Sequence, residues 1–256
     1  MARVLTVPNF STPVLPDDLG LPRSVTLHYA RGDADHGRSV VAFSGPADDV
    51  FGALVVLTHT LLATIDLRSQ TGAHPRIGAI DVVPFIDLEG HEAESVAERF
   101  ASALESDLGL PTLRYERSSP QCRPLPELRR AAPPGHPRWG SAVVGARGFL
   151  IAANLDFPST ARDRVRAAAR EIRRRREAGD PALSGVRALA FDLRSRGRVQ
   201  LSFNLTRPDE TTFDAVAQIG EDLVGQRATG TELIGVIRPR DLSGATRLQV
   251  APEQIV

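Results

Sequence analysis

The stretch Gly72-Ala73-His74-Pro75-Arg76-Ile77-Gly78-Ala79-Ile80-Asp81-Val82-Val83-Pro84-Phe85 sets a polar, Pro- and Gly-punctuated segment directly before an apolar run. Residues 79–86 are apolar on nearly every position, which reads as a strand buried on both faces. The preceding segment reads as a loop held rigidly at the mouth of that strand. A strand buried on both faces must be covered by helices, so an α/β layer follows. Histidine has the unperturbed pKa closest to neutrality, which suits His74 to proton transfer. A structured turn whose histidine caps a carbonyl is the plainer alternative.

Outward from this strand the pattern is regular. Residues 3–7, 25–29 and 39–43 read as strands, the first ended by Pro8. Residues 47–67 carry Val50, Leu54, Leu57, Leu61, Leu62 and Ile65 at helical spacing, behind Pro46 and Asp48-Asp49. Residues 92–108 read as a second amphipathic helix, stopped by Gly109 and Pro111, and 112–115 as a short strand. Residues 118–138 are rich in Pro and Arg without periodicity, long for a simple connection. Strands are then expected at 149–155, 186–193, 199–204 and 232–237, with helices at 160–178 and 211–227. The spacing predicts an α/β (α+β) fold of two subdomains, 1–157 and 158–256. Each is a mixed β-sheet with helices packed on it, and a ligand groove lies between them. The arginines at 162–176 form either an anion-binding patch or a solvated helix face interleaved with Asp163, Glu171 and Glu177.

Composition narrows the function classes. Hydrophobic residues make up 42% of the 256, enough for a core. Thirty-one basic and 31 acidic residues balance, which argues against a nucleic-acid or anionic-membrane surface. Every basic residue among Lys and Arg is arginine, so Schiff-base chemistry through lysine is excluded. The single cysteine, Cys122, cannot form an internal disulfide and sits in a segment that reads as surface loop. Met1-Ala2-Arg3 leads into a strand and no run reaches the length of a membrane helix, so a cytoplasmic protein is expected. His, Cys and carboxylates show no metal-ligand spacing.

Several motifs, in order, resemble the glutamate formimidoyltransferase family, the formiminotransferase domain of formimidoyltransferase-cyclodeaminase. Val7-Pro8-Asn9-Phe10-Ser11 is similar to the family's N-terminal V-P-N-F-S. Asp33-Ala34-Asp35-His36-Gly37-Arg38-Ser39-Val40 resembles D-P-D-H-N-R-S-V of bacterial members, and Gly72 to Phe85 resembles G-x-H-P-R-x-G-A-x-D-V-x-P-F. Trp139-Gly140 and Gly145-Ala146-Arg147-Gly148-Phe149-Leu150-Ile151-Ala152-Ala153-Asn154 follow W-G and G-A-R-K-F-L-I-A-F-N. Val199 to Leu205 and Gly230 to Gly235 match two later segments. The departures sit in polar loops: Thr12-Pro13-Val14 replaces E-G-R/K, and Tyr29-Ala30-Arg31 stands where the family carries acidic residues. One of those acids is held to orient the family's catalytic histidine. An R-x-G-E-Y-E segment, due after Leu128-Arg129, is missing. The chain resembles a shortened, diverged bacterial member, with scaffold kept and loops altered.

The resemblance implies a transferase of one-carbon metabolism and histidine degradation, with tetrahydrofolate as co-substrate. The substrates it implies are folate and an amino-acid-type donor such as formiminoglutamate; the assembly it implies is a homodimer. His74 would be the general base, accepting the folate nitrogen's proton and returning it to the leaving amine. Arg38 and Arg76 are candidate carboxylate clamps, or structural partners of Asp81, Asp33 or Asp35. By resemblance, Gly135, His136, Pro137, Arg138, Trp139 and Gly140 lie where folate binds. Trp139 is either a pterin-stacking surface or a core anchor. Asn9, Asp81 and Arg147 complete the candidate site. Two other readings remain: a relative acting on another amine in a biosynthetic pathway, and a folate-binding protein without catalysis.

Overall fold

A computed structural model of the protein describes residues 2–70, 72–131 and 135–256. The chain packs as two compact units, 1–147 and 148–256.

The first unit is built on a mixed sheet of seven strands. They are β1 (Arg3–Thr6), β2 (Asn9–Phe10), β3 (Thr26–Asp33), β4 (Arg38–Pro46), β5 (Ile80–Glu89), β6 (Thr112–Arg114) and β7 (Ala142–Ala146). β1 and β2 lie one after the other between β4 and β5, antiparallel to both. β3 adds to the outer side of β4, while β7 and then β6 continue from β5 in parallel. Helices α1 (Ala47–Thr64) and α2 (Ala93–Leu108) cover the core face, and the short α3 (Leu125–Arg130) lies further along the chain. Val50, Leu54 and Leu57 of α1 pack fully buried with Val83 and Phe85 of β5. Each such side chain contributes about 1.5–3 kcal/mol by burial. The 18 residues of α1 average 1.3 in hydropathy, enough by length and composition to cross a membrane. Its buried stripe against the sheet is that of a core helix.

α1 stops at Thr64 rather than running to Leu67, because Ile65 is extended and the last carbonyls find partners elsewhere. Arg138 donates from Nε to the Ile65 carbonyl and from Nη2 to that of Ala63, and Trp139 Nε1 donates to Leu62. β7 and α3 were not expected. β7 reads Ala-Val-Val-Gly-Ala, all buried and mid-sheet. α3 is only six residues long and opens with Pro at its start. Ala132–Pro134, in the stretch expected to be a loop, lie outside the described residues.

The second unit carries β8 (Ile151–Pro158), α4 (Arg162–Glu177), β9 (Val186–Leu193), β10 (Arg198–Leu205), α5 (Phe213–Val224) and β11 (Gly230–Ile234). Its sheet runs β11-β8-β10-β9 and is wholly antiparallel, not mixed as expected. The β9–β10 hairpin returns through Arg194–Gly197, with Gly197 left-handed at φ 60, which forces antiparallel pairing. β8 pairs with β10 along its whole length, so it belongs to this unit. The division therefore falls ten residues earlier than the sequence reading set it. On α4 the arginines pair with carboxylates: Arg162 and Arg166 with Asp192, Arg174 with Glu171, Arg175 with Asp180. That is the solvated-face alternative.

Candidate functional site

The loop from Gly72 to Gly78 is pinned at both ends. Ala73 N–H donates to the Asp35 carbonyl, 3.0 Å, tying the loop to the β3–β4 turn. At the other end Ala79 N–H donates to the Trp139 carbonyl, 2.8 Å, and Ser141 N–H to that of Ile77, 3.3 Å. A Cβ on Gly78 would lie 2.0 Å from the Ser141 oxygen, and one on Gly140, whose φ is 67, would lie 2.4 Å from that of Ile77. Only glycine fits at either crossing. Ser11 adds a hydroxyl donated to the Gly78 carbonyl, 2.7 Å.

Two segments thus meet that have the same spelling: His74-Pro75-Arg76-Ile77-Gly78 and His136-Pro137-Arg138-Trp139-Gly140. Their histidines are held in opposite tautomers. His74 Nδ1 lies 2.8 Å from the Pro75 carbonyl. A carbonyl only accepts, so Nδ1 carries the proton and the neutral ring has its lone pair on Nε2. His136 Nδ1 instead accepts the backbone N–H groups of Arg138 and Trp139, each at 3.2 Å. Its proton therefore sits on Nε2. The first loop holds a base and the second holds a donor.

Around His74 lie cations. Arg38 Nη2 donates to Asp81 Oδ2 at 2.7 Å, and Arg129 donates to the same oxygen. Asp81 is fully buried, while the Arg38 and Arg129 side chains keep 14% and 19% exposure. Asp81 Oδ1 accepts the Ile77 N–H at 2.7 Å, so one carboxylate fixes two arginines and the end of the loop. Burial lowers the Arg38 pKa to about 10, the Asp81 charge opposing and the Arg129 and Arg76 charges adding to the fall. Burial, with the Arg38 and Arg129 charges, drives the His74 pKa down to about 2. His74 is therefore neutral at physiological pH. His36 packs beside it, ring centroids 6.5 Å apart, its Nδ1 3.0 Å from Asp33 Oδ1.

Arg76 makes no ion pair among the described residues, and its Nη1 is buried without a hydrogen-bond partner. Arg38 Nε and Arg129 Nε are likewise buried and unbonded. Of the two expected clamps, Arg38 is thus the one held in a structural pair and Arg76 the one left over.

The 135–140 segment, expected where folate binds, also has structural contacts of its own. Arg138 and Trp139 hydrogen-bond to carbonyls at the end of α1, and the indole is stacked with His136 at 4.5 Å and has the Arg138 guanidinium 5.5 Å from its ring. Trp139 also packs against the core cluster, so it is the anchor of this crossing. Gly135 is a close-approach glycine, its Cβ position 2.3 Å from the Gly140 carbonyl carbon, and Pro137 is exposed. Asn9 donates its amide to the Val7 carbonyl, 3.0 Å. Arg147 follows β7 directly, its N–H on the Phe85 carbonyl. Cys122 is exposed, with φ 48. Among the described residues no group of three His, Cys, Asp or Glu could hold a metal.

Sequence reasoning missed Arg129. It lies 48 residues from Asp81 on a helix too short to show a period. The repeated His-Pro-Arg-x-Gly spelling was the available signal that residues 74–78 and 136–140 form one construction.

Residues 17–139 match the formiminotransferase domain, N-terminal subdomain. Over 91% of its length the chain is 28% identical to formimidoyltransferase-cyclodeaminase of Sus scrofa, of which it covers 48%. It is 27% identical to the glutamate formimidoyltransferase of Thermoplasma acidophilum, over 82% of this chain and 79% of that one. It is 26% identical to that of Streptococcus pyogenes serotype M1, over 92% and 89%. The chain spans about half the length of the cyclodeaminase fusions it matches.

Proposed function

Starting from a chain homologous to the glutamate formimidoyltransferases, we propose that it transfers a formimidoyl or formyl unit from an amino-acid-type donor to N5 of tetrahydrofolate. The observation that carries this reading is His74 neutral, with its proton held on Nδ1 by the Pro75 carbonyl, two residues from Arg76, which has no ion pair among the described residues. In the reaction N5 attacks the one-carbon unit and the N5–carbon bond forms. The bond from that carbon to the donor nitrogen breaks. One proton leaves N5 for His74 Nε2 and passes to the departing amine. Arg76 binds a donor carboxylate in the two-pronged geometry that guanidinium offers. Tetrahydrofolate is a co-substrate consumed in each turnover. The same reading makes the enzyme a cytoplasmic homodimer, which light scattering on the purified chain checks.

Single-turnover kinetics with formiminoglutamate and tetrahydrofolate test the assignment. His74→Ala should lower the transfer rate roughly 10²–10⁴-fold, the range of a general base, while folate affinity stays within a few-fold. A variant with near-normal rate would make His74 a structural residue. Donor binding is the more exposed half of the reading, because the family's segment after Arg129 has no counterpart here. Formiminoglutamate should therefore be a poorer donor than folate is an acceptor.

A further inference from the structure

We propose that His36, backed by Asp33, is the general acid that partners His74: His74 takes the proton from N5 and His36 delivers one to the departing nitrogen. The proposal deepens the transferase reading and rests on it for the reaction.

Backbone contacts bring the two rings together. Ala73 N–H on the Asp35 carbonyl lays the 72–78 loop on the β3–β4 turn. The approach is so close that a Cβ on Gly72 would collide with the His36 carbonyl oxygen and with Arg76 Nη2 alike. The His36 and His74 rings end with centroids 6.5 Å apart, tilted by 51°. That is too far for a direct bond between them and leaves room for one small group. Each ring is fixed in the same tautomer by a different partner. His74 Nδ1 lies 2.8 Å from the Pro75 carbonyl, and His36 Nδ1 lies 3.0 Å from Asp33 Oδ1. A carbonyl and an ionised carboxylate only accept, so both rings carry their proton on Nδ1 and work through Nε2. Asp33 Oδ1 also accepts the His36 N–H at 2.9 Å, so one carboxylate fixes the turn and the buried ring together.

The partners differ in charge, and that divides the work. A second proton on His36 makes an imidazolium that Asp33 balances. On His74 the same proton has a neutral carbonyl at Nδ1 and is opposed by the charges of Arg38 and Arg129. Two like groups whose surroundings differ in this way serve as acid and base. The reaction needs both. In its intermediate N5 and the departing nitrogen are bonded to one carbon; the first must lose a proton and the second gain one. The N5–carbon bond forms and the N5 proton goes to His74 Nε2. The bond from carbon to the donor nitrogen then breaks, and that nitrogen takes a proton from His36 Nε2. Passage of one proton from His74 to His36 restores both rings, so the net movement is one proton from N5 to the amine.

Single-turnover kinetics on the full chain test this with two donors that differ in the nitrogen expelled. Formiminoglutamate expels a basic alkyl amine, which needs an acid. N-formimidoyl-4-aminobenzoate expels a weakly basic aryl amine, which needs far less help. His36→Gln should slow transfer from the first roughly 10²-fold and from the second less than about 5-fold, because a general acid matters most to the poorest leaving group. Affinity for tetrahydrofolate should stay within a few-fold. Free imidazole should restore part of the rate to His36→Ala and leave the parent rate as it was. Asp33→Asn keeps an oxygen for the His36 N–H and loses the charge; it should show the same dependence on leaving group in weaker form, and Asp33→Glu should recover it. A histidine that only shapes the turn would slow both donors alike and gain nothing from imidazole, and that pair of results would overturn the proposal. So would a near-parental rate for His36→Gln with formiminoglutamate. No transfer by the parent chain from either donor would instead overturn the transferase reading, and the acid role of His36 with it.

Discussion

Replacing Asp81 by asparagine is the sharpest probe of how this site is held together. The substitution keeps the shape of a fully buried side chain. Its remaining oxygen can still accept the Ile77 N–H. What it cannot do is neutralise Arg38 and Arg129, and the new amide turns a donor toward two donors. Breaking a buried pair from one side costs about 3–5 kcal/mol, since it leaves an uncompensated charge. Both arginines keep some contact with water, 14% and 19% of their side chains, which places the loss near the lower end, about 3 kcal/mol. For a unit of this size that is a fall in melting temperature of about 6–12 °C. Urea unfolding followed by circular dichroism measures it, and an unchanged slope with denaturant would assign the loss to the native state. Adding Arg129→Met to the asparagine variant should recover part of the loss, because it removes one stranded cation. A loss below about 1 kcal/mol would mean that water already solvates both guanidinium groups, and the reasoning about a buried cationic field would fail.

The other predictions concern the crossing of the two loops and its charges. Trp139→Phe should cost about 1 kcal/mol, the hydrogen bond to the Leu62 carbonyl, and leave tetrahydrofolate affinity unchanged by calorimetry; a large loss of folate affinity would return the indole to the pterin site. Gly78→Ala should lower thermal stability by about 2 kcal/mol or more, since its Cβ would meet the Ser141 carbonyl oxygen at 2.0 Å; a variant as stable as the parent would mean the crossing can open without penalty. His74 has a folded pKa depressed from 6.5 to about 2, so between those values the unfolded chain binds the proton and the native state does not. Stability should therefore fall as pH drops below about 6.5, by up to about 2 kcal/mol at pH 5, and His74→Gln should flatten that limb of the pH–stability curve.

What the sequence disclosed and what it withheld follow from how each signal is encoded. α1 and β5 are written in period and apolar run, and both were legible from side chains alone. β7 carries five small, buried residues with no alternation, and its place between β5 and β6 depends on pairings that no local pattern records. The antiparallel second sheet is half visible: the four residues Arg194-Ser195-Arg196-Gly197 between two strand patterns are short enough to mark a β9–β10 hairpin, while the pairing of β8 with β10, which moves the unit boundary, joins residues some forty or more apart. The two arginines of the site invert the simplest reading. Arg76 is five positions from Asp81 and looks like its partner, but the backbone N–H of Ile77 takes the near oxygen of Asp81.

The far oxygen is met instead from another strand and another helix, by Arg38 and Arg129. The pairing register is irregular where β2 meets β5, between Asn9 and Phe10 opposite Val82 and Ile80, just where Asp81 sits. Asp81 thereby becomes shared property of three chain segments, and the arginine nearest to it in sequence is left with an unbonded, buried nitrogen. Sequence distance predicts an ion pair only when the local backbone has not already used the acceptor. Here the backbone has used it, and the cost of that arrangement is a cation without a counter-charge among the described residues. A fold carries such a cost where a ligand of opposite charge removes it, which is why the leftover arginine, rather than the paired one, is the residue to watch when a carboxylate is added.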